Sequence, residues 1–380
     1  MKIATRTAWI SAIAALSLGS MHAKDGLVVH EWGTFTSVAE EHGLPVQWAP
    51  LSGAEDLPCF VSKLDLKNYK AFAGIVRMET PVLFFYSQRP VTASVHVDFP
   101  KGWITEYYPQ PSNVTKDYSE QGVNTGLAYK SGSADWNSVE VLPGENPALP
   151  SSQGASRYYE ARKTDAAAVR VGNQNERMIF YRGIGSFLPP LQPKFMPTGK
   201  LQLRTTIPDT IPLAIVFENR GGKIGYRIVR GLSEAVEIDP PEMTGDLAQL
   251  RKQLVAELIE FGLYQKEALA MVETWHDSWF EEGMRVFYVV PRPQTDALLP
   301  LKIAPMPDST ARVFVGRVEV LSPWTRQTIQ DAVQNRDLGT LKKFGRFLEP
   351  FAAQMHDRSS FLRDAQLEIS KVANTGSCIR

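Results

Sequence analysis

The densest run of polar and aromatic side chains in the chain is Val29-His30-Glu31-Trp32-Gly33-Thr34-Phe35-Thr36. In an extended strand, His30 and Glu31 point to opposite faces, so one of them turns inward. A buried His or Glu must be hydrogen-bonded, ion-paired or metal-bound. Farther along, His96 and Asp98 share one face two residues apart, a spacing at which strand residues can ligate one ion. Glu79 follows Arg77 and Met78 in an otherwise apolar stretch. His30, His96 and Asp98 as metal ligands, with Glu31 or Glu79 as the catalytic carboxylate, would make a set for zinc or a similar divalent ion with an open position. The plainer alternative puts His96 and Asp98 on a solvated face and satisfies His30 and Glu79 in the core through Arg77 or backbone. No spacing here is diagnostic of a metal.

Arginines beside carboxylates form a second theme: Arg77/Glu79, Glu160/Arg162/Asp165, Glu176/Arg177/Arg182 and Arg317/Glu319. The planar guanidinium fork suits an anionic or sugar ligand, with Arg77 and Arg182 the candidate donors. The competing reading is a set of structural ion pairs at sheet margins. Aromatic residues are the third theme: Trp103, Tyr107, Tyr108, Tyr118, Tyr129 and Trp136 lie in and around a loop-rich stretch. Trp103 and Trp136 would stack on a ligand ring if exposed, or anchor loops to the core if not.

Several chemistries lack their signatures. There is no Gly-x-Ser-x-Gly elbow, no Ser-x-x-Lys, no P-loop, no Cys-x-x-Cys and no His-Glu-x-x-His. Gly183-Ile184-Gly185 lacks the third glycine of a dinucleotide fingerprint. With 41 basic and 41 acidic residues, the chain has no basic field for nucleic acid and no polybasic membrane anchor. Its 43% hydrophobic content is that of a globular protein.

Residues 1–23 read as a cleaved signal peptide: Lys2 and Arg6 are the positive end, Trp9 to Leu18 the apolar core and Ala23 the cleavage residue. Removing Lys2 and Arg6 leaves the mature chain slightly acidic. No later apolar run is long enough to span a bilayer, so no transmembrane segment is expected after cleavage. The expected location is the periplasm or the exterior. In such an oxidising compartment Cys59 and Cys378 can pair, tying the C-terminal tail to the N-terminal region; two free thiols are the alternative.

The elements that must position these residues change character along the chain. The first 240 residues hold 18 of the 26 prolines, whereas only Pro350 lies beyond Trp324. Strict alternation predicts a half-buried strand at Val91–Phe99. Ile75–Tyr86 reads as a buried strand interrupted at Pro81. Strands over 213–217 and 224–229 flank a glycine turn and read as a hairpin. Leu247, Leu250, Leu254, Leu258 and Phe261 mark a helix capped by Thr244, and a second helical stripe runs through Ala268, Val272, Trp275 and Trp279. Strands follow over 284–291 and 312–321, then helices. The fold class expected is α+β: a predominantly antiparallel, sandwich-like region over 24–240, a helical hairpin plus two strands over 241–321, and a helical C-terminal region over 322–380. If the two late strands join the earlier sheets, the hairpin is an insertion into one continuous core.

Six strings stand out together: Val29 to Thr36, Val76-Arg-Met-Glu-Thr-Pro-Val82, Phe180-Tyr-Arg-Gly183, Trp279-Phe-Glu-Glu-Gly283, Val315-Gly-Arg-Val-Glu319 and Gly345-Arg-Phe-Leu-Glu-Pro350. In combination they resemble a family of uncharacterised exported bacterial proteins, over residues 28 to 350. The resemblance implies a signal-bearing bacterial protein with an integrated architecture, and it supplies no catalytic residue or cofactor. Two functions follow as expectations. One is an envelope protein that binds a small molecule, glycan or partner protein through an aromatic and arginine-lined surface. The other is a metal-dependent hydrolase using His30, Glu31, His96 and Asp98.

Overall fold

The structure, a computed structural model, describes residues 26–51, 56–64, 73–115, 131–153, 156–357 and 359–372. The expected signal peptide, Tyr118, Tyr129 and Cys378 lie outside the described residues, and with Cys378 lies the expected pairing to Cys59.

The strands in chain order are β1 (Val28–Ala39), β2 (Ser62–Lys63), β3 (Val76–Tyr86), β4 (Val91–Phe99), β5 (Gly102–Tyr108), β6 (Asn113–Val114), β7 (Gly132–Leu142), β8 (Ala168–Val171) and β9 (Gln174–Glu176). Then come β10 (Ile179–Gly185), β11 (Leu191–Phe195), β12 (Leu201–Thr205), β13 (Ile211–Arg220), β14 (Lys223–Leu232), β15 (Val236–Ile238), β16 (Gly283–Val289), β17 (Leu301–Ala304) and β18 (Ser309–Val320). A main sheet runs β14-β13-β16-β18-β1-β3-β10-β5-β2; two smaller sheets run β17-β4-β7-β8-β9 and β11-β12-β15, with β6 on β7. Pairing is antiparallel except between β1 and β18, which run parallel over twelve residues. The protein is α+β with mostly antiparallel sheets.

Alternation sets the layers. Along β4, Ala93, Val95, Val97 and Phe99 are buried and the residues between them are not, the signature of a strand with one wet face. These side chains meet Val29, Phe35, Met78, Leu83, Phe85 and Phe314 of the main sheet in the larger core. The main sheet is covered on its other face as well. Trp32, Val82, Phe84, Ile215, Phe217, Val313 and Val315 pack there against α1 (Leu247–Glu260) and α2 (Gln265–Thr274) through Leu250, Leu254, Leu258, Ala268, Met271 and Val272. All twelve residues of β1 are therefore buried.

The two late strands lie inside the main sheet: β16 sits between β13 and β18, and β18 between β16 and β1. The boundary expected at 240 thus crosses one sheet, and α1 and α2 form an insertion between β15 and β16. Three further differences have local causes. β3 is continuous through Pro81, because a register shift opposite Trp32 and Thr34 absorbs the missing N–H. The cap of α1 is Asp246, whose carboxylate accepts from the backbone N–H of Ala248 and Gln249, rather than Thr244. Finally, α2 stops at Thr274, so Trp275 and Trp279 lie on a run of turns over 275–280. The hairpin expected around 219–222 is present, with Gly221 and Gly222 at φ 61° and 88° where other residues are strained.

After β16 come α3 (Arg292–Leu298), then, beyond β18, α4 (Pro323–Gln334), α5 (Leu338–Lys342), α6 (Leu348–Gln354) and α7 (Ser360–Val372). They close one end of the main sheet, packing Ile329, Phe344, Phe347, Leu348 and Phe351 on Val38, Trp48 and Leu321.

Close packing around β18 gives a test. A Cβ at Gly316 would lie 2.0 Å from Cζ of the buried Tyr288 ring on neighbouring β16. A rigid aromatic ring cannot step aside, so Gly316→Ala should lower unfolding free energy by about 1–3 kcal/mol. Urea denaturation with an unchanged m-value is the check; a midpoint equal to wild type would contradict this packing.

Candidate functional site

Three polar centres surround β1. On the face toward the smaller sheets, Glu31 accepts from the Tyr181 hydroxyl and from Arg312 Nε at 2.5 Å. Arg312 also binds Asp296 and the Leu299 carbonyl, at 2.7 Å each. Glu31 and Tyr181 are fully buried, and burial beside the carboxylate pushes the Tyr181 hydroxyl pKa far up. This centre is closed: each Glu31 oxygen has its donor. Both oxygens of the expected catalytic residue Glu31 are thus engaged within the core.

On the helical face, His30 Nδ1 lies 2.8 Å from Glu267 Oε2 on α2. Glu267 also accepts from the Tyr86 hydroxyl and the Tyr264 amide, at 2.8 Å each. The His30 ring packs 4.4 Å from that of Tyr264 and 5.5 Å from that of Tyr86. The Glu267 carboxylate on Nδ1 fixes the orientation of the imidazole ring. Tyr86 also lines an open cleft of about 780 Å³ with Glu145, Asn146, Arg162, Asp165 and Arg177.

Farther along the same face runs a seam of buried charges. Arg182 grips Asp56 through two hydrogen bonds of 2.7 Å, Arg77 binds Glu106 at 2.8 Å, and Arg346 binds Glu79. Arg317 bridges Glu319 and Glu281 at 2.6 Å each, and Arg285 joins at Glu319 at 2.9 Å. Five of the six strings that carry the family resemblance contribute charged residues to this seam: Arg77 and Glu79, Arg182, Glu281, Arg317 and Glu319, and Arg346. The sixth contributes Trp32 and Thr34 beside it. The chain is strained here, with Thr80 at φ 45°, a conformation that β-branched residues rarely adopt. Burial alone would raise the Glu79 pKa, but Arg346 and Arg182 outweigh it and hold it near 2.

Not every polar group on this face is paired. Trp32 Nε1, Thr34 Oγ1, Arg182 Nε, Trp275 Nε1, Ser278 Oγ and Trp279 Nε1 are buried with no hydrogen-bond partner among the described residues. Each unmade donor costs about 1–3 kcal/mol, so several together rival the ~5–15 kcal/mol net stability of an ordinary domain.

The expected metal set does not assemble. His30 stands on β1 of the main sheet, while His96 and Asp98 stand on β4 of a smaller sheet. Among the described residues no group of three or more His, Cys, Asp or Glu side chains could hold a metal ion. His96 is instead clasped from both sides, Nδ1 at 2.6 Å from Asp135 and Nε2 at 3.0 Å from Asp98. Carboxylates on opposite ring nitrogens do not share one ion with the imidazole. The expected ligand-binding surface is also displaced. Trp103 and Trp136 are core residues, and the Trp136 indole donates to the Pro109 carbonyl at 2.9 Å. Arg77 and Arg182 are buried in ion pairs. Glu267, Arg312, Arg346 and Asp135, which complete these centres, were not legible as partners, since each comes from an element distant in sequence.

These features define an α+β protein with a two-faced central sheet, a buried ionic seam and a polar cleft. No family model matches the chain, and no curated protein matches it. Solved structures with a distant similarity include two of one domain. The yeast delta-COP-I mu-homology domain complexed with a Dsl1 WxWxV peptide has 8% identity over 78% of this chain and 98% of that one, with a TM-score of 0.29. A second structure of the yeast delta-COP-I mu-homology domain has 7% identity over the same shares, with a TM-score of 0.27. Similarity at such scores carries neither fold nor function across. Among the described residues no helix is long and apolar enough to cross a membrane.

Two pH-dependent outcomes follow. Glu79 has its pKa depressed from 4.5, so its contribution is present above pH 4.5 and is lost as pH falls toward about 2. Glu79→Gln leaves Arg346 unmatched; it should cost about 3–5 kcal/mol at neutral pH and flatten the acid limb of a urea-stability curve. For His96, burial lowers the pKa, but the hydrogen bonds to Asp135 and Asp98 outweigh it and raise the value above 6.5. Its contribution is therefore full below pH 6.5 and fades as pH rises through the raised folded value. Because the group is partly exposed, His96→Gln should cost about 0.2–1 kcal/mol in acid and less in alkali. Thermal melts at about pH 5.5 and about pH 9 would show it; an equal loss at both would contradict the clasp.

Proposed function

We propose that the chain is an exported bacterial envelope protein that binds an oxygen-rich ligand, of the glycan class, in the cleft beside Tyr86. The observation that carries this reading is the lining of that cleft. One tyrosine, two arginines and the acceptors of Glu145, Asn146 and Asp165 converge on about 780 Å³. Aromatic rings with planar donors and carboxylates are the groups that recognise sugar rings and their acidic substituents.

The supporting shell is built. Arg162 is held by Glu176 at 2.8 and 2.6 Å and lies over the rings of Phe60, Tyr158 and Tyr159. Arg177 is fixed by the Asn146 side chain at 2.7 Å and the Ala166 carbonyl at 3.2 Å. Tyr86 is fixed by Glu267, which also holds His30. The ligand therefore meets side chains already in place, which reduces the ordering cost of binding. Export is supported by the charged, apolar and small-residue order of residues 1–23.

Calorimetric titration of the mature protein with a uronic-acid oligosaccharide and with its neutral counterpart tests the reading. The acidic sugar should bind more tightly, and Arg177→Ala should weaken it about tenfold, or about 1.4 kcal/mol. Binding of neither sugar, or binding indifferent to Arg177, would overturn it.

A further inference from the structure

The unpaired donors on the helical face carry a second inference, independent of the cleft. Trp32 Nε1, Thr34 Oγ1 and Arg182 Nε project from the main sheet, and Trp275 Nε1, Ser278 Oγ and Trp279 Nε1 come from the turns that cover it. Trp32, Trp275 and Trp279 belong to one buried cluster, which places both sets in the same layer. Arg182 and Trp275 are tied to one neighbourhood through Arg157. Its guanidinium lies 5.9 Å from the Trp275 ring and acts electrostatically on Asp56, the partner of Arg182.

The chemistry of these atoms is one-sided. Indole N–H and guanidinium Nε–H donate and cannot accept. Four of the six are of this kind, so no rotation lets them satisfy one another. A water molecule would accept from them but would bring two hydrogens of its own. The nearby carboxylates are already engaged, Asp56 by Arg182, Glu106 by Arg77 and Glu79 by Arg346. A guest with acceptors and no hydrogens to place fits this lining better than water. The named ion pairs cancel, so its charge would be met by N–H and O–H dipoles, which act strongly in a dry, low-dielectric layer.

We propose that the layer between the main sheet and the turns at 275–280 is a binding site for a small oxyanion, a carboxylate or phosphate group, held by Trp32, Thr34, Arg182, Trp275, Ser278 and Trp279. The cover is a run of turns between α2 and β16 rather than a helix. Asn219 Nδ2 binds the Phe280 carbonyl at 2.9 Å, and Arg317 binds Glu281 at 2.6 Å, so the cover is anchored at its C-terminal end. The cleft lies at the Tyr86 end of β3 and includes none of these six residues, whereas Trp32 and Thr34 lie opposite Val82 and Glu79, nearer the middle of that strand.

The test uses the whole mature protein labelled at its tryptophan indoles, dialysed into sodium chloride and titrated at constant ionic strength with sodium phosphate and, separately, sodium acetate. Indole N–H resonances of Trp32, Trp275 and Trp279 should shift saturably with at least one of the two anions, and the thermal midpoint should rise with it. Which anion acts identifies the group recognised. Ser278→Ala, which removes one hydroxyl and no carbon, should weaken the shift severalfold, while Arg177→Ala, which reports on the cleft, should leave it unchanged. The proposal is overturned if neither anion shifts these three indoles beyond the chloride control. It is equally overturned if the resonances of Trp48 and Trp324, outside the layer, move as much as they do.

Discussion

Pairing β1 on one side with β18 and on the other with β3 puts the start of the described chain at the centre of its largest sheet. Both faces of that sheet are covered, so β1 has no wet side on which a polar residue can rest. Every charge or hydroxyl in it must be answered by another element. Glu31 is answered by Tyr181 and Arg312, His30 by Glu267, and the neighbouring Glu79 by Arg346. These partners come from β10, β18, α2 and the C-terminal region. The central strand is therefore completed only when almost every other element has docked, which makes the regions of the chain parts of one cooperative structure rather than separable modules.

Ion pairs of this kind do not add much stability over apolar residues of the same volume, because taking both ions out of water offsets most of their attraction. Losing one partner is costly, however, since the other is left buried and unmatched. The seam thus acts as a register device. Arg346 reaches Glu79 while its guanidinium lies over Trp48 and Phe347, at 5.6 and 5.1 Å. Arg317, at 4.8 Å from Phe347, binds Glu281. The C-terminal helices can dock at one position on the sheet without stranding a charge, and few others would do.

Much of the scaffold was legible from periodicity. The alternation of β4, the hairpin of β13 and β14, and the leucine stripe of α1 each follow from local pattern, and the opposite facing of His30 and Glu31 follows from strand geometry alone. What escaped was pairing between distant segments. Nothing local says that Arg312 answers Glu31 across 281 positions, or that β4 belongs to a different sheet from β1. The metal set failed for that reason, since suitable residue types were assembled without a shared layer. Trp103 and Trp136 were misplaced because a loop-rich composition does not reveal whether a ring faces outward or inward. Arg77 with Glu79 and Arg317 with Glu319, charged residues two apart in apolar runs, were the local signs of the seam.

The two faces of β1 differ in a way that folding does not require. Toward the smaller sheets, both Glu31 oxygens and all three guanidinium nitrogens of Arg312 have partners. Toward the helices, buried indole and guanidinium hydrogens remain without acceptors among the described residues. Phenylalanine in place of a tryptophan would fill nearly the same space without a hydrogen to satisfy, so packing alone gives no reason for three indoles in one layer. The same layer holds the strained Thr80 backbone and the register shifts where β1 meets β3 and β3 meets β10. Strain, irregular pairing and unmatched donors each cost stability, and their coincidence on one face is what separates a binding layer from a core.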